Sequence, residues 1–194
     1  MSPTPYVNYI IRALDKARPR LHIPIVYNSS GFENVETIDL LKGYIDIFLP
    51  DLKYKDSKRA NRYAKAPDYY RVATMAIKSM YHSVGPAEFD ENNLLKCGVM
   101  IRHMVMPGGR HDSIAIMNDI ASYPFKDDIL VSVMSQYTPS FNSHEYPEID
   151  RRITSLEYDS VVNTMIDLGL TNGFMQKRSS AKKEYTPPFD LEGV

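Results

Sequence analysis

Apolar residues recur at helical spacing in the first segment of the chain, where Tyr6, Ile10, Ile11, Leu14 and Ala17 follow Thr4 and Pro5. Threonine before proline reads as an N-cap with proline at the first helical position, so this segment is predicted to open as a helix. The pattern then turns to short continuous apolar runs. The first is Ile23-Pro24-Ile25-Val26-Tyr27-Asn28, closed by the turn Ser29-Ser30-Gly31, and its proline marks an edge strand or the start of a strand. Further runs occupy residues 44–53, 98–106 and 129–137. Helical spacing returns between the runs: over 34–41, after Pro67 with Val72, Ala73, Ala76, Ile77 and Met80, and after Asp112, read as a cap, with Ile116, Met117 and Ile120. A capping box, Thr154-Ser155-Leu156-Glu157, opens a last helix carrying Val161, Val162, Met165 and Ile166 and stopping near Gly169. Residues 88–96 read as a turn or small hairpin and residues 138–147 as a loop.

Strands that are apolar on both faces and alternate with helices predict parallel βαβ units with right-handed crossovers. The fold class is therefore α/β, a partial (β/α) barrel of about four parallel strands with flanking helices. Four strands do not close a barrel, and nothing visible covers the strand at 23–28, so an open edge is expected there. One domain spans residues 1–176, and the Lys, Ser, Pro and Glu mixture of 177–194 reads as a loose tail.

Composition narrows the function. The 194 residues are 43% hydrophobic, with 23 Lys and Arg against 24 Asp and Glu. A formal charge of −1 gives no electrostatic reason to expect nucleic acid or an anionic membrane as partner. No apolar run approaches the roughly 20 residues that span a bilayer, and no signal peptide is visible, so a cytoplasmic location is expected. The one cysteine, Cys97, permits no internal disulfide and by itself holds no iron–sulfur cluster.

Chemistry concentrates where the strands end. Asp51 and Lys53 lie two residues apart at the end of the second strand and so share a face, at the end of an α/β sheet where ligands bind. Their spacing suits either a charged small molecule or a solvated ion pair. Arg102 interrupts an apolar strand and requires an anionic or carbonyl partner, either a ligand or a structural ion pair. Asn28 with Ser29-Ser30-Gly31, and Ser135-Gln136-Tyr137, complete four polar strand ends. His103 is expected to face the opposite side of the sheet and pack there, and Cys97 to behave as a small hydrophobe. Pro107-Gly108-Gly109 reads as an ordinary turn or as backbone that approaches a ligand, and Arg151-Arg152 as a solvated face or an anion site.

Five segments together carry a resemblance: Ile23-Pro24-Ile25-Val26-Tyr27-Asn28-Ser29-Ser30-Gly31, Leu49-Pro50-Asp51-Leu52-Lys53-Tyr54, Ile101-Arg102-His103-Met104-Val105-Met106-Pro107-Gly108, Ser135-Gln136-Tyr137, and the run from Tyr146 through Arg151 to Thr154. Their order and spacing resemble the C-terminal two-thirds of radical S-adenosylmethionine proteins of the pyruvate formate-lyase activating enzyme type, from about Ser2 to Gln176. The resemblance implies a partial (β/α)6 barrel, S-adenosylmethionine as cofactor, a [4Fe-4S] cluster, and a glycyl radical enzyme or another protein as substrate. It further implies that Asp51 and Lys53 meet the methionine end of the cofactor and that Arg102 touches cofactor or substrate. Asn28 and Ser29 match an acidic-then-hydroxyl position, with Asn28 in place of the acid, and Tyr137 stands where activases have a histidine near the cofactor, so the resemblance implies that these three residues also line the cofactor site.

The first strand of such a barrel and its Cys-x3-Cys-x2-Cys loop are not in this sequence, so the chain is expected to begin mid-barrel and to be inactive alone. Three readings stay open: the larger part of a radical enzyme with its N-terminal piece missing, a non-enzymatic relative acting as a binding module or partner subunit, and an unrelated α/β enzyme that binds a phosphorylated ligand at Arg102 and Lys53. On the first reading, the exposed edge predicts aggregation or dimerisation of the isolated chain.

Overall fold

The computed structural model describes residues 3–175. After a 3₁₀ turn at Thr4–Tyr6 come helix α1 (Val7–Ala17), strand β1 (Val26–Ser29), α2 (Val35–Leu41), β2 (Ile47–Pro50), α3 (Ser57–Ala64) and α4 (Tyr69–Val84). The hairpin strand β3 (Glu88–Phe89) leads into β4 (Leu95–Met104), followed by α5 (Arg110–Ala121), β5 (Leu130–Met134), α6 (Ser155–Asp167) and β6 (Gly173–Met175). The sheet order is β1-β2-β4-β5-β6, with every pair on that path parallel and β3 antiparallel to β4. Strands added in chain order by crossovers of one hand place the helices on one face, as in a barrel that has not closed.

The helix-covered face holds the core. Phe48, Val99, Ile101, Val131 and Val133 are fully or almost fully buried there, against Ile38 and Leu41 of α2, Ala73, Ile77 and Met80 of α4, Ile116 and Ile120 of α5, and Val161 and Met165 of α6. Each large apolar side chain buried in this way stabilises the fold by roughly 1.5–3 kcal/mol. The alternate residues of the same strands face the side without helices. There Val26 and Phe174 are half-exposed, while Leu130, Ser132 and Met134 are enclosed.

The α/β fold with parallel strands and flanking helices is as the sequence predicts, and among the described residues β1 pairs only with β2 and forms one edge, although it starts at Val26 and not at Ile23. Three local expectations differ. There is a fifth parallel strand, β6, whose three residues begin with a glycine and expose Phe174 and Met175, too short and too exposed to give a periodic signal. Thr4 does not cap α1: its hydroxyl donates to Glu33 Oε1 (2.6 Å), tying the start of the chain to the loop after β1. Asp112 lies within the first turn of α5, and its carboxylate accepts the amides of Lys55 and Asp56 from the loop after β2. The long-range partner won over the local one in both cases. The tail expected at 177–194 lies outside the described residues.

Two loop contacts hold the C-terminal end of the sheet. Glu157 completes the capping box at α6, accepting from the amide of Thr154 (2.8 Å) while the Thr154 hydroxyl accepts from the Glu157 amide. The same carboxylate takes both terminal nitrogens of Arg151 (2.7 and 2.9 Å) and the amide of Gly108 (2.7 Å), so one side chain joins the loops after β4 and β5. The Arg151 guanidinium, helped by the backbone amides, holds the Glu157 carboxyl well below the usual carboxylate range. The second contact is a close approach. Gly31 has φ +75°, and a Cβ there would lie 2.1 Å from the carbonyl oxygen of Asp51.

Glu157→Gln is expected to lower the melting temperature at neutral pH by roughly 5 °C, because the amide replaces a carboxylate that accepts several charge-assisted bonds. A depressed carboxyl stabilises fully above its unfolded value of about 4.3 and loses that contribution as the pH falls below it. The gap between wild type and variant should therefore narrow, without closing, as calorimetry is taken from pH 7 to pH 3. Gly31→Ala, which combines a left-handed backbone with a clash against main chain, is expected to lower the melting temperature by roughly 5–10 °C. A neutral result would show that the turn moves away from Asp51 without cost.

Candidate functional site

Pairing of β2 with β4 continues past the end of β2 as a bridge between Asp51 and Arg102 of β4, in which the Leu52 amide donates to the Arg102 carbonyl (2.9 Å). That register sets the two side chains next to each other on the face without helices. Arg102 Nε and Nη2 both donate to Asp51 Oδ1, at 2.9 and 2.7 Å, and Lys53 Nζ lies 3.3 Å from Oδ2. Arg102 thus finds its anionic partner within the chain, and Asp51 takes one cation on each oxygen. The Asp51 side chain is 13% exposed, against 28% for Arg102 and 35% for Lys53.

One carboxylate between two cations leaves a net charge of +1 at the end of the sheet. Arg102 Nη1 makes no hydrogen bond among the described residues, and Lys53 Nζ has Asp51 as its one ion-pair partner. Two half-exposed donors therefore stand over a filled acceptor, an arrangement that suits the carboxylate of a small ligand.

The backbone under this centre is held by a residue that the pattern of the sequence does not mark. The Tyr69 hydroxyl, at the start of α4, lies 2.9 Å from the Ser30 carbonyl and 2.8 Å from the Asp51 carbonyl, and accepts the amide of Lys53 (3.0 Å). One oxygen therefore joins the turn after β1 to both neighbours of Leu52. Burial pushes the phenol far above its ordinary pKa, so it remains a donor at any pH the fold survives.

The other predicted site residues are dispersed. Asn28 is exposed on the edge strand, opposite Leu49, and so shares the face of Asp51. Ser29 is buried on the opposite face, where its hydroxyl accepts the Gly31 amide (3.2 Å) and its carbonyl accepts the Asp51 amide (3.0 Å). Tyr137 is buried and donates its hydroxyl to the Ile149 carbonyl (2.9 Å). The structure thus brings Asp51, Lys53 and Arg102 together, sets Asn28 on the neighbouring strand, and uses the hydroxyls of Ser29 and Tyr137 to hold backbone.

His103 faces the helices and is 1% exposed, with Nδ1 donating to the Leu52 carbonyl (2.6 Å); burial lowers its pKa and keeps the ring neutral. Cys97, half-buried, donates to the Val84 carbonyl (3.0 Å), and burial raises its thiol pKa, which disfavours the thiolate a metal would need. No group of three or more His, Cys, Asp or Glu among the described residues is placed to hold a metal ion. Pro107-Gly108-Gly109 is an anchored turn, since Arg59 donates to the carbonyls of Pro107 and Gly108 and Glu157 accepts the Gly108 amide. Arg151 is spent on Glu157. Among the described residues no helix is long and apolar enough to cross a membrane.

No family model matches the sequence. The chain is similar to an uncharacterized protein of Methanocaldococcus jannaschii, 31% identical over 160 residues that take in 82% of this chain and 42% of that protein. It therefore spans less than half the length of that curated relative. The structure is similar to the solved structure of a domain of a pyruvate-formate lyase-activating enzyme from Bacteroides vulgatus, with a TM-score of 0.64 and 14% identity, over 91% of this chain and 95% of that one. At that identity the likeness is one of fold, and the chain has the fold of a pyruvate-formate lyase-activating enzyme domain.

Proposed function

We propose that this chain is the S-adenosylmethionine-binding part of a radical enzyme of the activating-enzyme kind. The observation that carries the reading is the Asp51–Arg102–Lys53 cluster at the C-terminal end of the parallel sheet, within the fold of an activating-enzyme domain. In this reading Lys53 Nζ and Arg102 Nη1 receive the carboxylate of the cofactor's methionine end. Asp51 holds both cations in place and keeps the local charge at +1, which favours an anion without trapping it. Asn28, on the adjacent strand, contributes a neutral amide to the same face.

In enzymes of this kind S-adenosylmethionine supplies a radical when a reduced iron–sulfur cluster cleaves it. The described residues do not fit such a cluster, since a [4Fe-4S] centre takes thiolates and Cys97 alone is present, bonded to a carbonyl. The proposal therefore confines this chain to holding the cofactor, with the thiolates supplied by polypeptide outside this sequence. The proposed protein substrate is a glycyl radical enzyme or another protein, approaching the same end of the sheet.

The test is calorimetric titration of the purified chain with S-adenosylmethionine. Saturable binding is expected, weakened about tenfold or more by Lys53→Ala, because the variant loses a charge-assisted contact while Asp51 keeps Arg102. Absence of binding by the folded chain, or equal affinity in the variant, would overturn the reading. Anaerobic incubation with iron and sulfide is expected to give no [4Fe-4S] absorption from this chain alone. A stable cluster would show that the thiolate argument fails.

A further inference from the structure

Beside the charged centre, the loops that follow β2, β4 and β5 converge with α3 on a cleft of about 240 Å³. Its walls are Tyr54, Tyr63, Met106, Tyr137, Tyr146 and Ile149, with exposed Ser140 and Asn142 at the rim. The rings are fixed and not loosely gathered. Tyr63 and Tyr146 stand edge to face, 5.4 Å apart and at 89°, with the Arg62 guanidinium 4.9 Å over the Tyr146 ring. Tyr63 donates to Glu148 and Tyr137 to the Ile149 carbonyl, so two of the wall hydroxyls are spent on protein.

Tyr54 is different. It is 7% exposed, packs edge-on to Tyr69 at 5.7 Å, and its hydroxyl makes no hydrogen bond among the described residues. That oxygen is nevertheless not sealed in the core. An O–H that no described protein group accepts and that solvent reaches is free to bond a molecule held in the cleft. Burial pushes its pKa up to about 12, so it stays a neutral O–H. The nearby cations are engaged elsewhere: Arg59 bonds the carbonyls of Pro107 and Gly108, and Arg62 bonds Glu148. Nothing in the walls calls for an anion.

We propose that this cleft binds one neutral aromatic ring carrying a single hydrogen-bonding group, with Tyr54 Oη as its polar contact and the rings of Tyr63, Tyr137 and Tyr146 as its walls. The volume suits a ring the size of a phenol or indole, either as a free molecule or as a side chain on a peptide. The site is separate from the Asp51 centre and does not depend on what binds there.

The chain contains no tryptophan, so indole excited at the long-wavelength edge of its absorption, beyond that of the 14 tyrosines, reports on the bound probe. Titration of the full chain into indole is expected to give a saturable blue shift, and Tyr54→Phe to weaken indole about fivefold, the worth of one hydrogen bond, while leaving 1-methylindole, which has no N–H, unchanged. Thr138→Phe, a substitution at the half-exposed rim, should block both probes and keeps the test alive should Tyr54→Phe fail to fold. N-acetyl-tryptophanamide binding tighter than indole would identify a peptide side chain as the source, and weaker binding a free ring; both support the site. Three results would overturn it: no saturable shift, no effect of Thr138→Phe, or displacement of indole by S-adenosylmethionine, which would make the cleft part of the cofactor's own site.

Discussion

A single phenol oxygen fixes the end of the sheet. The Tyr69 hydroxyl lies between the carbonyls of Ser30 and Asp51 and takes the amide of Lys53, so β1, β2 and α4 meet at one buried atom. Gly31 lies against the same carbonyl of Asp51, with room for hydrogen and for no larger group. Parallel strands leave their last amides and carbonyls without a continuing ladder, and buried polar groups left unpaired are costly. Tyr69 meets three of them, sharing its one O–H between the two carbonyls and accepting the amide. The positions of Asp51 and Lys53, on either side of Leu52, follow from that arrangement.

Charge is arranged on this frame so that the cluster holds itself together. Asp51 is nearly enclosed, and a carboxylate in that position is stable only with partners; it has Arg102 on one oxygen and Lys53 on the other. The more exposed members of the trio are the cations, which puts unspent donors outward and the anion inward. In the proposed reading a ligand carboxylate meets Lys53 and Arg102 without breaking the pairing beneath. The neutral aromatic cleft next to it has the opposite character, and the two together give the end of the sheet a charged half and an apolar half.

How much of this was legible depends on the distance over which each feature is encoded. The helices and the four longer strand runs were readable because each buries a face at the period of its own backbone, as Ala73, Ala76, Ile77 and Met80 do along α4. The capping box at Thr154 and Glu157 was readable because its two residues are three apart. The wider role of Glu157 was not, since the Gly108 amide comes from 49 residues away. The same holds for Thr4 and Asp112, whose local capping pattern gave way to partners 29 and 57 residues distant. Strand β6 was missed because three residues with an exposed phenylalanine and methionine carry no period.

The sequence by itself determined the alternation of strand and helix, the side of the sheet to which Asp51 and Lys53 point, the need of Arg102 for an anion and the inward turn of His103, because each is set by backbone period or by the cost of burying a charge alone. Tertiary structure decided that the anion for Arg102 is Asp51, that Ser29 and Tyr137 spend their hydroxyls on backbone, and that Tyr54 finds no hydrogen-bond partner among the described residues. Those outcomes depend on which strand ends meet across the sheet, and hydrogen bonds, reaching only about 3 Å, are chosen by that meeting and not by spacing along the chain.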